Sequence, residues 1–390
     1  MTSVSQSSIK IDRLSSLPPE LLLTIFDLAY DPDHLLLEPL SERLLPYVRR
    51  NLYRQIRISS RSSWSKLRRI VEHSPGLGTL AYSLDLSAVY VFPNQGQFEK
   101  IVKPFPRLNS VKTGYIQPIQ RTSIDTVLPP LEYLSYECDT FSISAIDFLA
   151  NLKLSTLEIN FHYTEVFTQP SPLPRLELMK KLSLIRRDDD DDRVGESIWI
   201  RDLAHIIDCC CPKITSLRLY DPRYPDYQDF LSDASSFAPC LTSLELDSPA
   251  LDDVYNISCD HLLPQFSSLT HLTLGDGTLT AFLPAHLRQL PLLTSLRLGP
   301  EAHWNLSASD FFTLLEGPTR HPSLRNLFFG CFGGHTGHRI GIDEEVEEYL
   351  GMSEDGWQMP FFHEEFTELD CRNLRRICAS NRVLLSGDAT

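Results

Sequence analysis

Leu241-Thr242-Ser243-Leu244-Glu245-Leu246, Leu269-Thr270-His271-Leu272-Thr273-Leu274 and Leu293-Thr294-Ser295-Leu296-Arg297-Leu298 are three copies of one phrase: a leucine, two variable residues, a leucine, one variable residue, a leucine. Ile214 to Leu219, Leu154 to Ile159 and Leu324 to Phe329 follow the same pattern, and Leu131 to Tyr136 and Met179 to Leu184 follow it more loosely. Counted from the middle leucines Leu134, Leu157, Leu182, Leu217, Leu244, Leu272, Leu296 and Leu327, the copies are spaced by 23, 25, 35, 27, 28, 24 and 31 residues. Within each phrase the apolar residues alternate with variable ones, the period of a strand, so the leucines share one face and the residues between them share the other. A unit of this length cannot bury its apolar face alone. Stacking on its neighbours does so, and a self-similar period in this range marks a solenoid.

The phrase itself is that of the leucine-rich repeat. Helical patterns fill the intervals at Ser142–Leu152, Ile198–Cys209, Asp229–Phe237, Leu283–Leu290 and Ser309–Glu316. Pro106, Pro130, Pro212, Pro239, Pro291 and Pro322 stand just before the first apolar position of six strand phrases. Proline ends a helix and turns the chain into the next strand where no ladder donor is lost. This use of proline accounts for 27 in 390 residues, above the roughly 5% average. The expected fold class is α/β: a leucine-rich repeat solenoid with a parallel sheet on its concave face and helices on its convex face, preceded by a small N-terminal all-α domain. Leu84-Asp-Leu86 reads as its first strand and Leu108-Asn-Ser-Val111 as its second.

Composition agrees with a folded chain, 42% hydrophobic and 22% charged. The net charge is −15 and uneven: residues 1–75 hold 11 basic and 8 acidic side chains, the remainder 25 basic and 43 acidic. An acidic body opposes the phosphate neutralisation on which nucleic-acid binding depends, so no nucleic-acid partner is expected. No apolar run is long enough to cross a bilayer, and the start is polar, without the pattern of an export signal. The expected compartment is the cytoplasm or the nucleus, no membrane partner is expected, and the nine cysteines read as reduced thiols.

The N-terminal stretch Leu14 to Leu28 is an amphipathic helix signal: Ser16 can cap, Pro18 and Pro19 suit the first turn, and Glu20 complements the positive helix end. Leu21, Ile25 and Leu28, with Leu22 and Phe26 beside them, form the apolar stripe. A second helix is expected over about Pro39–Leu52, a short alternating strand over Tyr53–Ser60, and a helix over Ser63–His73. Leu17-Pro18-Pro19-Glu20-Leu21 through Phe26, followed by Leu44-Leu45-Pro46-Tyr47-Val48-Arg49-Arg50-Asn51-Leu52-Tyr53, resembles the F-box in its divergent fungal form, which leads into a leucine-rich repeat array. Together the two resemblances span roughly Leu14 to Phe329.

The resemblance implies a substrate-recognition adaptor of a cullin-type (SCF) ubiquitin ligase. Leu17, Pro18, Glu20, Leu21, Ile25 and Phe26 match the adaptor-facing start of the motif and would dock on the Skp-type adaptor of the cullin complex. The repeats would hold a protein substrate. The acidic stretch Asp31–Glu38 departs from the family pattern, and no asparagine or cysteine ladder follows the strands. The alternative is a leucine-rich repeat interaction scaffold without a ligase. The resulting organisation is a disordered tail over 1–12, an F-box-like helical domain over 13–58, a connecting helix over 59–76, the solenoid over 77–332, an acidic Gly-rich insert over 333–365, and a closing helix and tail over 366–390.

Strand alternation puts Tyr133, Arg218, Tyr220, His271, Arg297 and Phe328 on the non-leucine face, where they are the expected substrate-binding residues. Arginine and aromatic side chains carry most interface energy, which singles out Arg218, Tyr220, Arg297 and Phe328. Cys209-Cys210-Cys211 precedes a strand phrase and reads as buried packing. Cys331, His335 and His338 lack a fourth zinc ligand, and His363-Glu364-Glu365 lacks the second histidine of a helical zinc-protease motif. No phosphate-cradling loop, Gly-x-Ser-x-Gly turn or dinucleotide fingerprint occurs. The expectation is therefore a non-enzyme with no catalytic residue, no metal and no cofactor.

Overall fold

The computed structural model describes residues 17–22, 44–89, 95–116, 129–141, 149–150, 152–164, 173, 175–187, 198–220, 227–247, 260–275, 283–299, 308–329 and 368–387. The expectations for the tail 1–12, for Ile25 and Phe26, for the insert 333–365 and for Cys331, His335 and His338 lie outside the described residues. The chain is α/β. Twelve strands belong to one sheet, ordered as they occur in the sequence, and the described pairings are parallel. Two compact units divide the chain, Met1–Glu137 and Cys138–Thr390.

In the first unit, residues 19–22 are helical, and α1 (Leu45–Arg54) is followed directly by β1 (Gln55–Arg57). Helix α2 (Arg61–His73) starts where Ser60, extended at φ −152°, accepts the Ser63 N–H on its Oγ at 3.2 Å. It buries Leu67 and Val71, one turn apart. Pro75 opens the short α3 (Pro75–Gly78). Strands β2 (Ser83–Leu86) and β3 (Ser110–Tyr115) then follow, with α4 (Gln95–Val102) between them, and β4 (Tyr133–Phe141) begins in this unit and ends in the next. Ile56, Leu84, Val111 and Leu134 stand in one register and are all buried. The sheet thus begins one strand before Leu84–Leu86. Only Ile56 of the three β1 residues is buried, so its alternation spans a single inward position.

The second unit carries the regular repeats. Strands β5 (Thr156–Thr164), β6 (Lys181–Arg186), β7 (Ser216–Tyr220), β8 (Ser243–Asp247), β9 (His271–Leu274), β10 (Ser295–Leu298), β11 (Asn326–Phe329) and β12 (Leu384–Gly387) pair in sequence order. Leu157, Leu182, Leu217, Leu244, Leu272, Leu296 and Leu327 form one continuous buried row. Ile159, Leu184, Leu219, Leu246, Leu274 and Leu298 form a second. Burying one such side chain is worth about 1.5–3 kcal/mol, so each position in these rows stabilises the unit appreciably.

The return segments supply the rest of the core. Helix α5 (Ile198–Cys210) buries Leu203, Ile206, Ile207 and Cys210 at helical spacing, and α6 (Tyr227–Asp233) buries Tyr227, Phe230 and Leu231. The expected helix Asp229–Phe237 instead ends at Asp233 and continues as two 3-10 turns, the second containing Pro239. Proline removes the donor that an α-helix would need there. A 3-10 segment (Asp260–Gln265) and helices α7 (Leu283–Leu287), α8 (Ala308–Leu315) and α9 (Glu368–Ser380) follow. The C-terminal segment is helix then strand rather than helix then tail. Arg382 adopts φ 57° and the Val383 N–H donates to the Cys378 carbonyl, a left-handed cap that turns the chain into β12 beside β11.

A polar face built by the repeat register

Because β5 to β12 share register, residues at equal positions in successive phrases line up across the sheet. The position after the middle leucine gives the row Glu158, Ser183, Arg218, Glu245, Thr273, Arg297, Phe328, Ser386. Two residues earlier runs Thr156, Lys181, Ser216, Ser243, His271, Ser295, Asn326, Leu384. The structure therefore places Arg218, His271, Arg297 and Phe328 in two adjacent rows of one face, with Tyr220 on β7 two positions beyond Arg218. Tyr133 lies half-buried at the start of β4 in the first unit.

Two contacts organise this face. The Arg218 Nε stands 3.0 Å from the Glu245 Oε1, with side chains 43% and 32% exposed. The geometry is that of an ion pair rather than an aligned hydrogen bond, and at this exposure such a pair contributes about 0–1 kcal/mol. The Arg297 guanidinium carbon lies 4.3 Å from the centroid of the Phe328 ring, a cation–π stack. Glu245 is the partner that reading single strands does not supply. The signal for it is the repeat spacing: Arg218 and Glu245 each follow a middle leucine, as do Arg297 and Phe328.

A second feature explains why Leu-Thr recurs at the head of the phrases. The hydroxyls of Thr242, Thr270 and Thr294 donate to the carbonyls of Thr215, Thr242 and Thr270 at 3.0, 2.8 and 3.0 Å, and Thr215 donates to Lys180 at 3.2 Å. The same carbonyls accept the backbone N–H of the threonine and of the residue after it. This threonine ladder occupies the strand entrances. It makes the spacing between neighbouring strands a local property of the phrase.

His321 is a further residue that pattern reading passes over. It is buried, its Nε2 lies 3.1 and 3.0 Å from the carbonyls of Leu287 and Leu290, and its Nδ1 accepts the N–H groups of Ser323 and Leu324 at 3.3 and 3.1 Å. Two N–H donors on Nδ1 fix the proton on Nε2. Burial lowers the pKa below the usual histidine value, reinforced by the charges of Arg288 and Arg325 and opposed by the two carbonyls. The neutral ring joins the α7 turn to the entrance of β11.

At the N-terminal motif, Leu17 is half-buried, Pro18 and Glu20 are exposed, Leu21 is 51% exposed and Leu22 is fully buried. In the cysteine run, Cys210 and Cys211 are buried and burial pushes both thiols up to about 12. Cys209 is half-exposed, with its Sγ 3.7 Å from the His205 Nε2. Among the described residues no three His, Cys, Asp or Glu side chains converge to hold a metal ion. No described helix is long and apolar enough to cross a membrane.

No family model matches the chain, and comparison with the curated proteins gives no match.

Proposed function

We propose that the chain is a substrate-recognition adaptor of a cullin-type ubiquitin ligase, with an F-box-like head and a leucine-rich repeat solenoid that binds a protein substrate. The observation that carries the binding half of this reading is the division of labour in the strands. Inward leucine rows are buried without exception from β5 to β10, while the outward rows present arginine, histidine, hydroxyl and aromatic side chains in fixed register. Such a surface is suited to positioning a partner. Arg218 is neutralised by Glu245, so the stacked Arg297–Phe328 pair is the stronger anchor.

The ligase half of the reading is supported by the resemblance of Leu17 to Tyr53 and by the state of the motif's start. Leu21 is half in solvent beside a fully buried Leu22, as a helix would be that packs on its own domain with one face and keeps another for a partner. Leu17, Pro18, Glu20 and Leu21 would meet the Skp-type adaptor, with Ile25 and Phe26 continuing the motif.

The test is co-expression with the Skp adaptor and cullin, comparing the wild type with Leu21→Asp. Because Leu21 is exposed, the substitution leaves the fold intact. Retention of the wild type and loss of the variant supports the adaptor reading. A folded wild type that does not co-purify overturns it and leaves a repeat scaffold without a ligase.

A further inference from the structure

We propose that the β9–β12 end of the polar face docks an extended acidic segment of the partner protein, with a carboxylate side chain on Arg297 and an apolar side chain on Leu384. The inference rests on the polar face being the partner surface and is independent of the adaptor contact.

Charge complementarity carries it. Among the described residues, β9, β10, β11 and β12 place no carboxylate on this face, and Arg297 has no carboxylate in ion-pair reach. The nearest acidic residue in the Arg297 row is Glu245 on β8, and Arg218 holds it at 3.0 Å. Phe328 fixes one face of the Arg297 guanidinium by stacking, which leaves the planar fork oriented rather than mobile. An exposed, pre-oriented guanidinium matches a carboxylate through paired charge-assisted hydrogen bonds.

The apolar element is Leu384, 65% exposed on the last strand of the sheet. Phe328, half-buried under Arg297, lies between the two anchors: Arg297 pairs with Phe328, and Asn326, two residues before Phe328, pairs with Leu384. Two strand spacings and two residue rises separate Arg297 from Leu384 by about 12 Å, which is three to four residues of extended chain. The expected ligand therefore has an acidic and an apolar residue three or four positions apart.

The test is selection of random peptides, about twelve residues long, on the purified full chain. Enriched synthetic peptides are then measured by fluorescence anisotropy against the wild type, Arg297→Gln, Leu384→Asp and, as a control away from this face, Arg68→Gln on α2. Enrichment of the acidic–apolar spacing is expected, with affinity weakened roughly tenfold or more by Arg297→Gln, weakened by Leu384→Asp, and unchanged by Arg68→Gln. Arg297 and Leu384 are both exposed, and matching thermal melts establish that the variants are folded. Selected peptides without acidic enrichment, or peptides indifferent to Arg297→Gln, overturn the proposal. So does a peptide that binds only when phosphoserine replaces its acidic residue, which would assign the site to phosphopeptides. Failure to bind the Skp adaptor affects none of these readouts.

Discussion

Replacing His321 by alanine removes four hydrogen-bond relations at once from a buried site. The N–H groups of Ser323 and Leu324 lose their acceptor, whereas the carbonyls of Leu287 and Leu290 lose one donor each and keep the N–H groups of Leu290 and Leu293. An orphaned buried backbone group costs about 1–3 kcal/mol. Partial relaxation toward water leaves an expected loss of about 3 kcal/mol for His321→Ala at pH 7.5. The pH dependence is the sharper part. The folded pKa lies below the usual histidine value of about 6.5, so the unfolded chain binds a proton before the folded one does. Stability is then fully present above that unfolded value and falls as pH drops from it toward the folded pKa, by at most about 1.4 kcal/mol per pH unit. Protonation would also turn Nδ1 into a donor facing two N–H groups. Urea unfolding of wild type and His321→Ala at pH 7.5 and 5.5 isolates this, because other titrating groups cancel in the difference. The variant is expected to be less stable at both pH values, with a smaller gap from wild type at pH 5.5. Hydrogen exchange over 283–299 and 320–329 should rise in step. A constant gap between the two pH values, or a variant as stable as wild type, would refute the reasoning.

Other outcomes follow from packing. Leu272→Ala, in the middle of the buried row, should cost about 2–5 kcal/mol in urea unfolding, whereas Thr273→Ala on the next position should cost far less; equal losses would contradict the inward–outward assignment. Gly78→Ala should lower the melting temperature, because a Cβ there would overlap the Pro104 carbonyl and press on Val71; Gly76→Ala, where a Cβ meets nothing within 4 Å, is the control. At pH 8, iodoacetamide should modify exposed Cys240 while sparing Cys210 and Cys211, whose thiols are pushed up to about 12, until denaturant is added. Early labelling of either, read by peptide mass spectrometry, would mean that the packing around α5 is open.

The strands from β4 to β11 are legible because each carries its own signal, the middle leucine flanked by alternating residues. The ends of the sheet are less so. β1 has one buried residue, and β12, Leu384-Leu385-Ser386-Gly387, ends in serine and glycine where the phrase would have a leucine. It forms a strand because α9 and the left-handed turn at Arg382 deliver it to the free edge of β11, which is tertiary information. On the polar face the positions of Arg218, Arg297 and Phe328 follow from alternation alone. Their pairings follow from register, which the unequal repeat spacings hide until the phrases are aligned on their middle leucines. His321 has no pattern, since its partners are backbone groups of a segment about 31 residues earlier.

The proposed function assigns the protein two separate binding surfaces, the motif starting at Leu17 for an adaptor and the polar sheet face for a partner. Isothermal titration of the purified chain with the purified Skp adaptor tests it most directly, using wild type, Leu21→Asp and Arg297→Glu. The expected result is one-to-one binding that Leu21→Asp abolishes and Arg297→Glu leaves unchanged. Absence of binding by the folded wild type, or equal loss in both variants, would contradict it.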